Sequence, residues 1–245
     1  MEVVLLGPVE LRADDGTPLR TGGAKRRAVL GALALSLGRV VPVARLLDLV
    51  WDGAPPPSAK AALQGHVAGL RALLDGTSLH LVTRDPGYAL LGDRARVDVH
   101  RVRDLLAEAE GAAEPGTDEA AVDLLRHALA LWRGPALADC GSETLRATAE
   151  PGLEGLRLKI VERLAERLLR VGRGGSALAE LADALRAHPL RETLAALLMR
   201  CLHQEGRQAD ALGHYHRIRV RLAEELGVDP GPRLQEALAT VLGTT

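Results

Sequence analysis

The sequence predicts a mainly α-helical protein with small β-sheets, built from two domains that span residues 1–96 and 97–245. Of its 245 residues, 47% are hydrophobic and 26% are charged, a balance that is typical of globular chains. The chain contains no Phe, two Trp and two Tyr, so its cores are packed with Leu, Val and Ala, which favours helices. Short extended segments occur before residue 97, and the pattern is helical after it.

The first domain begins with extended segments. Val3–Leu6 and Val9–Arg12 are apolar or β-branched and are separated by a Gly-Pro pair, which predicts strands. Residues 24–37 then carry apolar side chains at helical spacing, and a glycine follows them, which predicts a first helix. A second helix is expected over Val43–Trp51, because Pro42 suits a helix start.

A third helix is predicted over Ala59–Leu74, after a proline-rich segment that cannot be helical. Ser58 precedes it and is expected to cap its N-terminus. Its apolar residues recur at helical spacing and predict one buried stripe, formed by Leu63, Val67, Leu70 and Leu74. A β-hairpin with strands over 80–83 and 88–91 is expected next. Helix, helix, loop, helix and hairpin form, in this order, a winged helix-turn-helix.

The second domain contains a repeat with a period of 34 residues. The segment GRGGSALAEL at 172–181 matches GRQADALGHY at 206–215, and a weaker third copy begins at Gly116. This period is typical of tetratricopeptide helix pairs, in which a glycine lies at the turn between the helices. The second domain is therefore expected to be all-α and tetratricopeptide-like.

The formal net charge of −1 conceals an asymmetry between the two domains. Residues 1–96 carry 12 basic and 9 acidic side chains, a net charge of +3, whereas residues 97–245 carry 19 basic and 23 acidic side chains, a net charge of −4. Near-neutrality of the whole chain therefore does not exclude nucleic acid as a partner of the first domain. The N-terminus lacks a signal-peptide pattern, no apolar run is long enough for a membrane span, and the two cysteines suit a reducing compartment. We expect a cytoplasmic protein without a membrane partner.

Candidate DNA-binding residues lie on the third helix and on the hairpin. With the apolar stripe turned inward, Lys60, Gln64 and Arg71 lie beside the outward face. There a glutamine can read adenine, and the basic side chains can reach guanine or phosphate. Arg84 at the hairpin turn suits a minor groove or a phosphate. The alternative interpretations are an ordinary amphipathic surface helix and a solvated arginine in a turn.

Further basic residues and two glycines bear on the same prediction. The run Lys25, Arg26 and Arg27 in the first helix would suit backbone phosphates, unless these residues are simply solvated. Gly65 and Gly69 lie inside the third helix, where each costs about 1 kcal/mol relative to alanine. Close approach of the helix backbone to DNA is one candidate reason for these glycines.

No catalytic motif is recognisable, so neither an enzyme nor a cofactor is predicted. The segment 173–176 could form a small anion-binding nest, but the turn of the helical repeat explains it better. Cys201 with His203, and His214 with His216, are pairs two residues apart on predicted helices. Because such pairs point to different helix faces, we predict no metal site.

Several blocks of sequence closely resemble the Streptomyces antibiotic regulatory protein (SARP) family. They are LLGPVELR (5–12), GGAKRRAVLGALAL (22–35), ALQGHVAGLRALL (62–74), LVTRDPGYAL (81–90), ALALWRGPALAD (128–139) and AEELGVDPGPRLQE (223–236). The resemblance implies an OmpR-type winged helix followed by a bacterial transcriptional activation domain, in a short form without an ATPase module. It implies an activator of an antibiotic or other secondary-metabolite gene cluster. Such a protein would bind promoter direct repeats near the −35 element as a dimer and recruit RNA polymerase holoenzyme through its sigma subunit.

Carried over by position, the resemblance makes residues 58–74 the recognition helix and Arg84 the wing arginine. It also implies that a loop beginning with Trp51, Asp52 and Gly53 contacts the polymerase. Family members often have polar or basic residues at positions 65, 68 and 69, where this chain has Gly, Ala and Gly, which favours readout of DNA shape. The alternative function is a tetratricopeptide-type interaction adaptor with weak or lost DNA binding.

Overall fold

The computed structural model describes residues 1–111 and 116–243, and the chain divides into two compact units. The first unit comprises Met1–Asp104 and Ala130–Gly155, and the second comprises Leu105–Leu129 and Leu156–Thr245. The first unit thus continues past residue 96 and includes a segment from the later half of the chain. Positions 112–115 and 244–245 of the expected second domain lie outside the described residues.

The first unit contains two three-stranded antiparallel sheets and the three expected helices. One sheet consists of β1 (Glu2–Val4), β2 (Glu10–Arg12) and β3 (Pro18–Leu19), and the other has the order β4 (Val41–Pro42), β6 (Gly87–Gly92) and β5 (Leu79–Arg84). The helices are α1 (Ala24–Leu35), α2 (Val43–Val50) and α3 (Ala59–Leu74). The predicted third helix has the predicted bounds, and the first is two residues shorter than expected.

The predicted cap of α3 is wrong. Ser58 adopts helical backbone angles (φ −82°, ψ −3°), and its side chain forms no capping hydrogen bond. The amide of Ala59 donates instead to the carbonyl of Pro56 at 2.8 Å, so a backbone turn that is already wound precedes the helix. A residue with this backbone conformation does not direct its hydroxyl at the first free amides of the helix.

The first unit is completed by parts of two longer helices, α4 (Asp98–Gly111) and α6 (Glu143–Arg170), and by the segment between 131 and 141. Asp98 is buried, and its carboxylate accepts hydrogen bonds from the amides of Leu5 and Leu6 at 2.8 Å and of Val99 at 2.7 Å. Burial raises the pKa of Asp98 to about 6, although these three donors act in the opposite direction. Asp139 accepts from the amide of Val9 at 2.7 Å. Asp98 and Asp139 therefore accept hydrogen bonds from the chain that connects β1 to β2.

The second unit is helical over the residues that the structure describes. It contains α5 (Asp118–Ala130) except its last residue, and the remainder of α6. Four further helices follow, α7 (Leu178–Ala187), α8 (Glu192–Gln204), α9 (Gln208–Leu226) and α10 (Pro232–Leu242). Gly172 and Gly206 both have φ +73°, and the residue after each glycine donates to a carbonyl five residues earlier at 2.8 Å. The same helix ending thus recurs at an interval of 34 residues, which confirms the repeat between the copies at 172–181 and 206–215.

The possible anion nest at 173–176 is occupied by the chain itself. The amide of Gly174 donates to Gln204 Oε1 at 2.7 Å, and the amide of Gly175 donates to Glu205 Oε1 at 3.1 Å. Cys201 is buried, which raises the pKa of its thiol to about 12, whereas His203 is exposed. No group of His, Cys, Asp and Glu suited to a metal ion occurs among the described residues.

Candidate nucleic-acid interface

The α3 helix buries the predicted stripe and exposes the opposite face. Each of the four stripe residues is at most 2% exposed, and Ala59 joins them at the start of the helix. Lys60 and Gln64 are exposed, and neither side chain has a hydrogen-bond or ionic partner within residues 1–111 and 116–243. The predicted orientation of the helix is confirmed. Two candidate residues are thus left with polar atoms available to a ligand.

Arg71 is used differently, because it joins α3 to the hairpin of β5 and β6. Its Nε donates to the carbonyl of Leu81 at 2.9 Å, and a terminal nitrogen donates to Thr83 Oγ1 at 2.7 Å. The guanidinium lies 6.0 Å from the centre of the Tyr88 ring, a distance at which a cation is attracted to an aromatic face. Arg71 therefore sets the position of the hairpin relative to α3, and sequence reasoning missed this role.

Arg84 is exposed at the end of β5, and its side chain has no partner in the described part of the chain. The strand after the turn approaches β4 so closely that a Cβ at Gly87 would lie 1.9 Å from the carbonyl oxygen of Val41. Only glycine fits there, and the amide of Val43 also donates to the carbonyl of Pro86 at 3.1 Å. These contacts fix the base of the turn that carries Arg84.

The basic residues Lys25 and Arg27 of α1 are committed to the protein itself. Lys25 Nζ donates to the carbonyl of Val50 at 2.6 Å and to that of Gly141 at 3.3 Å. Arg27 donates to the carbonyls of Gly22 at 2.7 Å and of Asp139 at 3.0 Å, and its Nε lies 3.1 Å from the Asp139 carboxylate. Both side chains are therefore held by contacts with their own chain, and phosphate binding by this run stays a prediction.

Arg26 lies across the middle of α3 and explains one of the two helix glycines. A Cβ at Gly69 would lie 2.6 Å from the central guanidinium carbon of Arg26, so glycine makes room for this side chain. At Gly65 nothing lies within 4 Å of the same position. The expected reason, approach of the backbone to DNA, is therefore not needed at Gly69 and stays a prediction at Gly65.

The loop after α2 is anchored at its first two residues. The Trp51 ring stacks on His66 of α3 with centroids 6.3 Å apart. Asp52 Oδ1 accepts from the amide of Thr144 at 2.9 Å and from Ser142 Oγ at 3.0 Å, and these hydrogen bonds hold the pKa of Asp52 below its usual value. Trp51 and Asp52 thus have structural contacts, whereas the chain from Gly53 onward is exposed up to α3.

His66 was also missed by sequence reasoning. It is half-buried between Trp51 and Arg26, and burial together with the Arg26 charge lowers its pKa. A single histidine on a helix gives no periodic signal, and the stacking partner lies 15 residues away in the chain. Both effects disfavour the charged form of the His66 imidazole.

Comparison with known proteins places the chain among transcriptional regulators. A family model described as bacterial transcriptional activator domain matches residues 97–242. Regulatory protein AfsR of Streptomyces coelicolor is 41% identical over 239 residues, which cover 97% of this chain and 24% of that protein. Regulatory protein DnrI of Streptomyces peucetius is 35% identical over 251 residues, which cover 99% of this chain and 92% of that protein. The chain thus spans about a quarter of AfsR and nearly the whole of DnrI.

A solved structure has the same fold. Mycobacterium tuberculosis EmbR, determined in complex with a low-affinity phosphopeptide, superposes with a TM-score of 0.90 at 34% sequence identity. The superposition covers 100% of this chain and 65% of that one. No helix among the described residues is long and apolar enough to cross a lipid bilayer. The chain belongs to the SARP family of transcriptional regulators, which carry a bacterial transcriptional activator domain.

Proposed function

We propose that this chain is a sequence-specific DNA-binding activator of a secondary-metabolite gene cluster. The observation that carries the proposal is the set of exposed and unpartnered polar side chains on α3 and the hairpin turn, Lys60, Gln64 and Arg84, within the described residues. They belong to the part of the chain with a net charge of +3. A helix with such a face, followed by a hairpin, suits a major groove and the backbone beside it.

The side chains divide into two kinds of contact. Gln64 can accept from and donate to one adenine edge, which distinguishes bases, whereas Lys60 can reach guanine or a phosphate. Arg84 suits a phosphate or a minor groove, contacts that add affinity for every sequence. The alanines and Gly65 around Gln64 are exposed and offer no donors, so few bases are read directly. Specificity then depends partly on DNA shape and on two protomers that share a repeated site.

The proposed partners are promoter direct repeats near the −35 element and RNA polymerase holoenzyme, through its sigma subunit, in the cytoplasm. The exposed stretch that begins at Gly53 is the proposed polymerase-contacting loop. Trp51 and Asp52 support this loop through their contacts with His66 and Thr144. A fixed first end restricts the conformations of such a loop, which lowers the entropic cost of contact with a partner. Catalysis has no part in this proposal.

A mobility-shift assay on promoters beside the protein's own gene tests the proposal. The full chain is titrated against fragments with two repeats, with one repeat and with scrambled repeats, at several salt concentrations. We expect salt-sensitive retardation of the two-repeat fragment, weaker retardation of the single repeat and further retardation with polymerase holoenzyme. No retardation at low salt, with or without polymerase, would refute the proposal.

The alternative is an interaction adaptor with weak or lost DNA binding, and one observation favours it. The outward face of α3 is formed mainly by residues without polar side chains: Ala61, Gly65, Ala68 and Ala72. An adaptor would bind all three fragments equally weakly and would still associate with holoenzyme in the absence of DNA. The same titration therefore distinguishes the two functions.

A further inference from the structure

A cavity of about 320 Å³ lies within the first unit, and its lining residues come from α1, β4, α2, α4 and α6. None of the lining residues belongs to α3 or to the hairpin turn, so the cavity is separate from the candidate DNA-contacting residues. Its volume lies at the small end of the range for small-molecule sites. The proposed function assigns no role to it.

The greater part of the lining is apolar. Aliphatic side chains are contributed by Ala32 and Leu35 of α1, Leu49 of α2, and Leu145 and Leu153 of α6. Leu49, Leu145 and Leu153 are themselves at most 6% exposed, so the apolar wall belongs to the core of the unit. A compact apolar group would exclude water from this wall on binding.

Two exposed arginines also line the cavity, Arg45 from α2 and Arg103 from α4. Neither guanidinium forms an ion pair with a carboxylate anywhere in residues 1–111 and 116–243. The nearby carboxylate of Asp104 is paired with Arg94 at 2.9 Å. No acidic residue lines the cavity. The cavity therefore combines an apolar wall with positive charge that nothing in the lining neutralises.

The surroundings of Arg103 add to the positive charge beside the apolar wall. Arg103 is exposed but partly desolvated, which lowers its pKa, and the charges of Arg94 and Arg39 lower it further, although Asp104 acts in the opposite direction. Its only polar side-chain contact in the described structure is with His100 Nδ1 at 3.5 Å. Positive charges that repel one another beside an apolar wall create a favourable place for an anion.

We propose that this cavity binds a small organic anion, an acyl or aryl carboxylate, with its apolar body against the leucines and its carboxylate toward Arg45 and Arg103. Arginine guanidinium groups bind carboxylates through charge-assisted hydrogen bonds, and the apolar wall selects carboxylates that carry a hydrocarbon body. A bound anion would contact α1, α2 and α6 together and would stabilise the folded first unit by mass action.

The α6 helix provides a matched pair of variants. Gly152 lines the cavity, and nothing lies within 4 Å of the position that its Cβ would occupy. Gly155 lies three residues further along the same helix, also has open space around that position, and does not line the cavity. Leucine at either position gains the same helix propensity, but only Gly152→Leu places a side chain where the ligand would lie.

Isothermal titration calorimetry on the full chain without DNA tests the proposal. Octanoate and 1-naphthoate are the acyl and aryl probes, and octanol is the neutral control with the same number of carbon atoms as octanoate. We expect saturable binding of one carboxylate to one site, at least tenfold tighter than octanol, with a rise in melting temperature. The carboxylate that binds identifies the class of ligand.

We expect Gly152→Leu to abolish binding and Gly155→Leu to retain it. The double variant Arg45→Gln/Arg103→Gln should lose the preference for the carboxylate over octanol, because it removes the two guanidinium charges and leaves the apolar wall unchanged. Failure of both carboxylates to bind, equal binding of octanol, or unchanged binding by either Gly152→Leu or the arginine double variant would overturn the proposal. Because no DNA is present, these results are independent of the proposed DNA-binding function.

Discussion

Two pairs of basic residues in the first unit differ in the contacts that their side chains form. Lys25 and Arg27 of α1 donate to carbonyl oxygens of their own chain. Lys60 of α3 and Arg84 of the hairpin turn have no partner within the described residues. The difference shows that a run of basic residues does not by itself indicate a binding surface. Side chains that form no contacts with their own chain are the stronger candidates for contact with DNA.

Asp98 is a buried charged residue that, like Lys25 and Arg27, bonds to its own chain. Its replacement should have the largest effect on stability. Asp98→Ala leaves the amides of Leu5, Leu6 and Val99 without their acceptor, and each buried unpaired donor costs about 1–3 kcal/mol. We expect the free energy of unfolding to fall by at least about 3 kcal/mol, measured by urea denaturation. A loss below about 1 kcal/mol would contradict this role of the carboxylate.

The same carboxyl group makes a prediction about pH. Because the folded-state pKa of Asp98 is raised to about 6, the part of the stability that depends on its protonation is fully present below its unfolded pKa near 4 and is lost as the pH rises through 6. Relative to Asp98→Asn, the wild type should therefore lose roughly 2–3 kcal/mol between pH 4 and pH 7.5. Urea denaturation of both proteins across this range measures the difference, and a constant difference would show that the pKa is not raised.

Arg27→Ala should reduce stability and leave DNA binding by the folded protein unchanged. Its guanidinium bridges the carbonyls of Gly22 and Asp139, and hydrogen bonds from a charged group contribute about 1.5–3 kcal/mol. We expect a loss of about 2 kcal/mol by urea denaturation and an unchanged dissociation constant for the operator. A weakened operator complex with unchanged stability would assign Arg27 to the DNA-binding surface instead.

Gln64→Ala and Arg84→Ala should change DNA binding in different ways and leave stability unchanged. Loss of the glutamine removes discrimination at one base pair, about tenfold between the preferred base and the others. Loss of the arginine weakens binding to all sequences roughly tenfold. Titration of a panel of single-base operator variants separates the two effects. If both variants bind every operator like the wild type, the recognition surface lies elsewhere.

The two glycines of α3 should respond differently to alanine, and this effect is the smallest. Gly65→Ala places its Cβ in open space and should stabilise the helix by up to about 1 kcal/mol. Gly69→Ala displaces the Arg26 guanidinium and should gain less or lose stability. Thermal denaturation compares them, and an operator titration of Gly65→Ala shows whether DNA needs that space. Equal stabilisation by the two variants would contradict the contact with Arg26.

The sequence predicts those features that depend on neighbours in the chain. The spacing of Leu63 and its three companions defines the buried face of α3, and the interval between Gly172 and Gly206 defines the repeat. The contacts of Lys25 and Arg27 with Gly141 and Asp139 cross more than 110 residues, and no local pattern contains them. The role of Arg71 was missed for a similar reason, because its partners lie on a different element.

Outward-facing residues are proposed to bind DNA, whereas Lys25 and Arg27 of α1 hold the fold. The most direct test compares Lys60→Ala/Arg84→Ala with Lys25→Ala/Arg27→Ala in operator titrations over a range of salt concentrations, at a temperature where both variants are folded. In the first variant, the slope of log affinity against log salt concentration should become less negative by about 2, one for each lost phosphate contact. The second variant should leave this dependence unchanged. The reverse result, with the smaller slope in the α1 variant, would contradict the account.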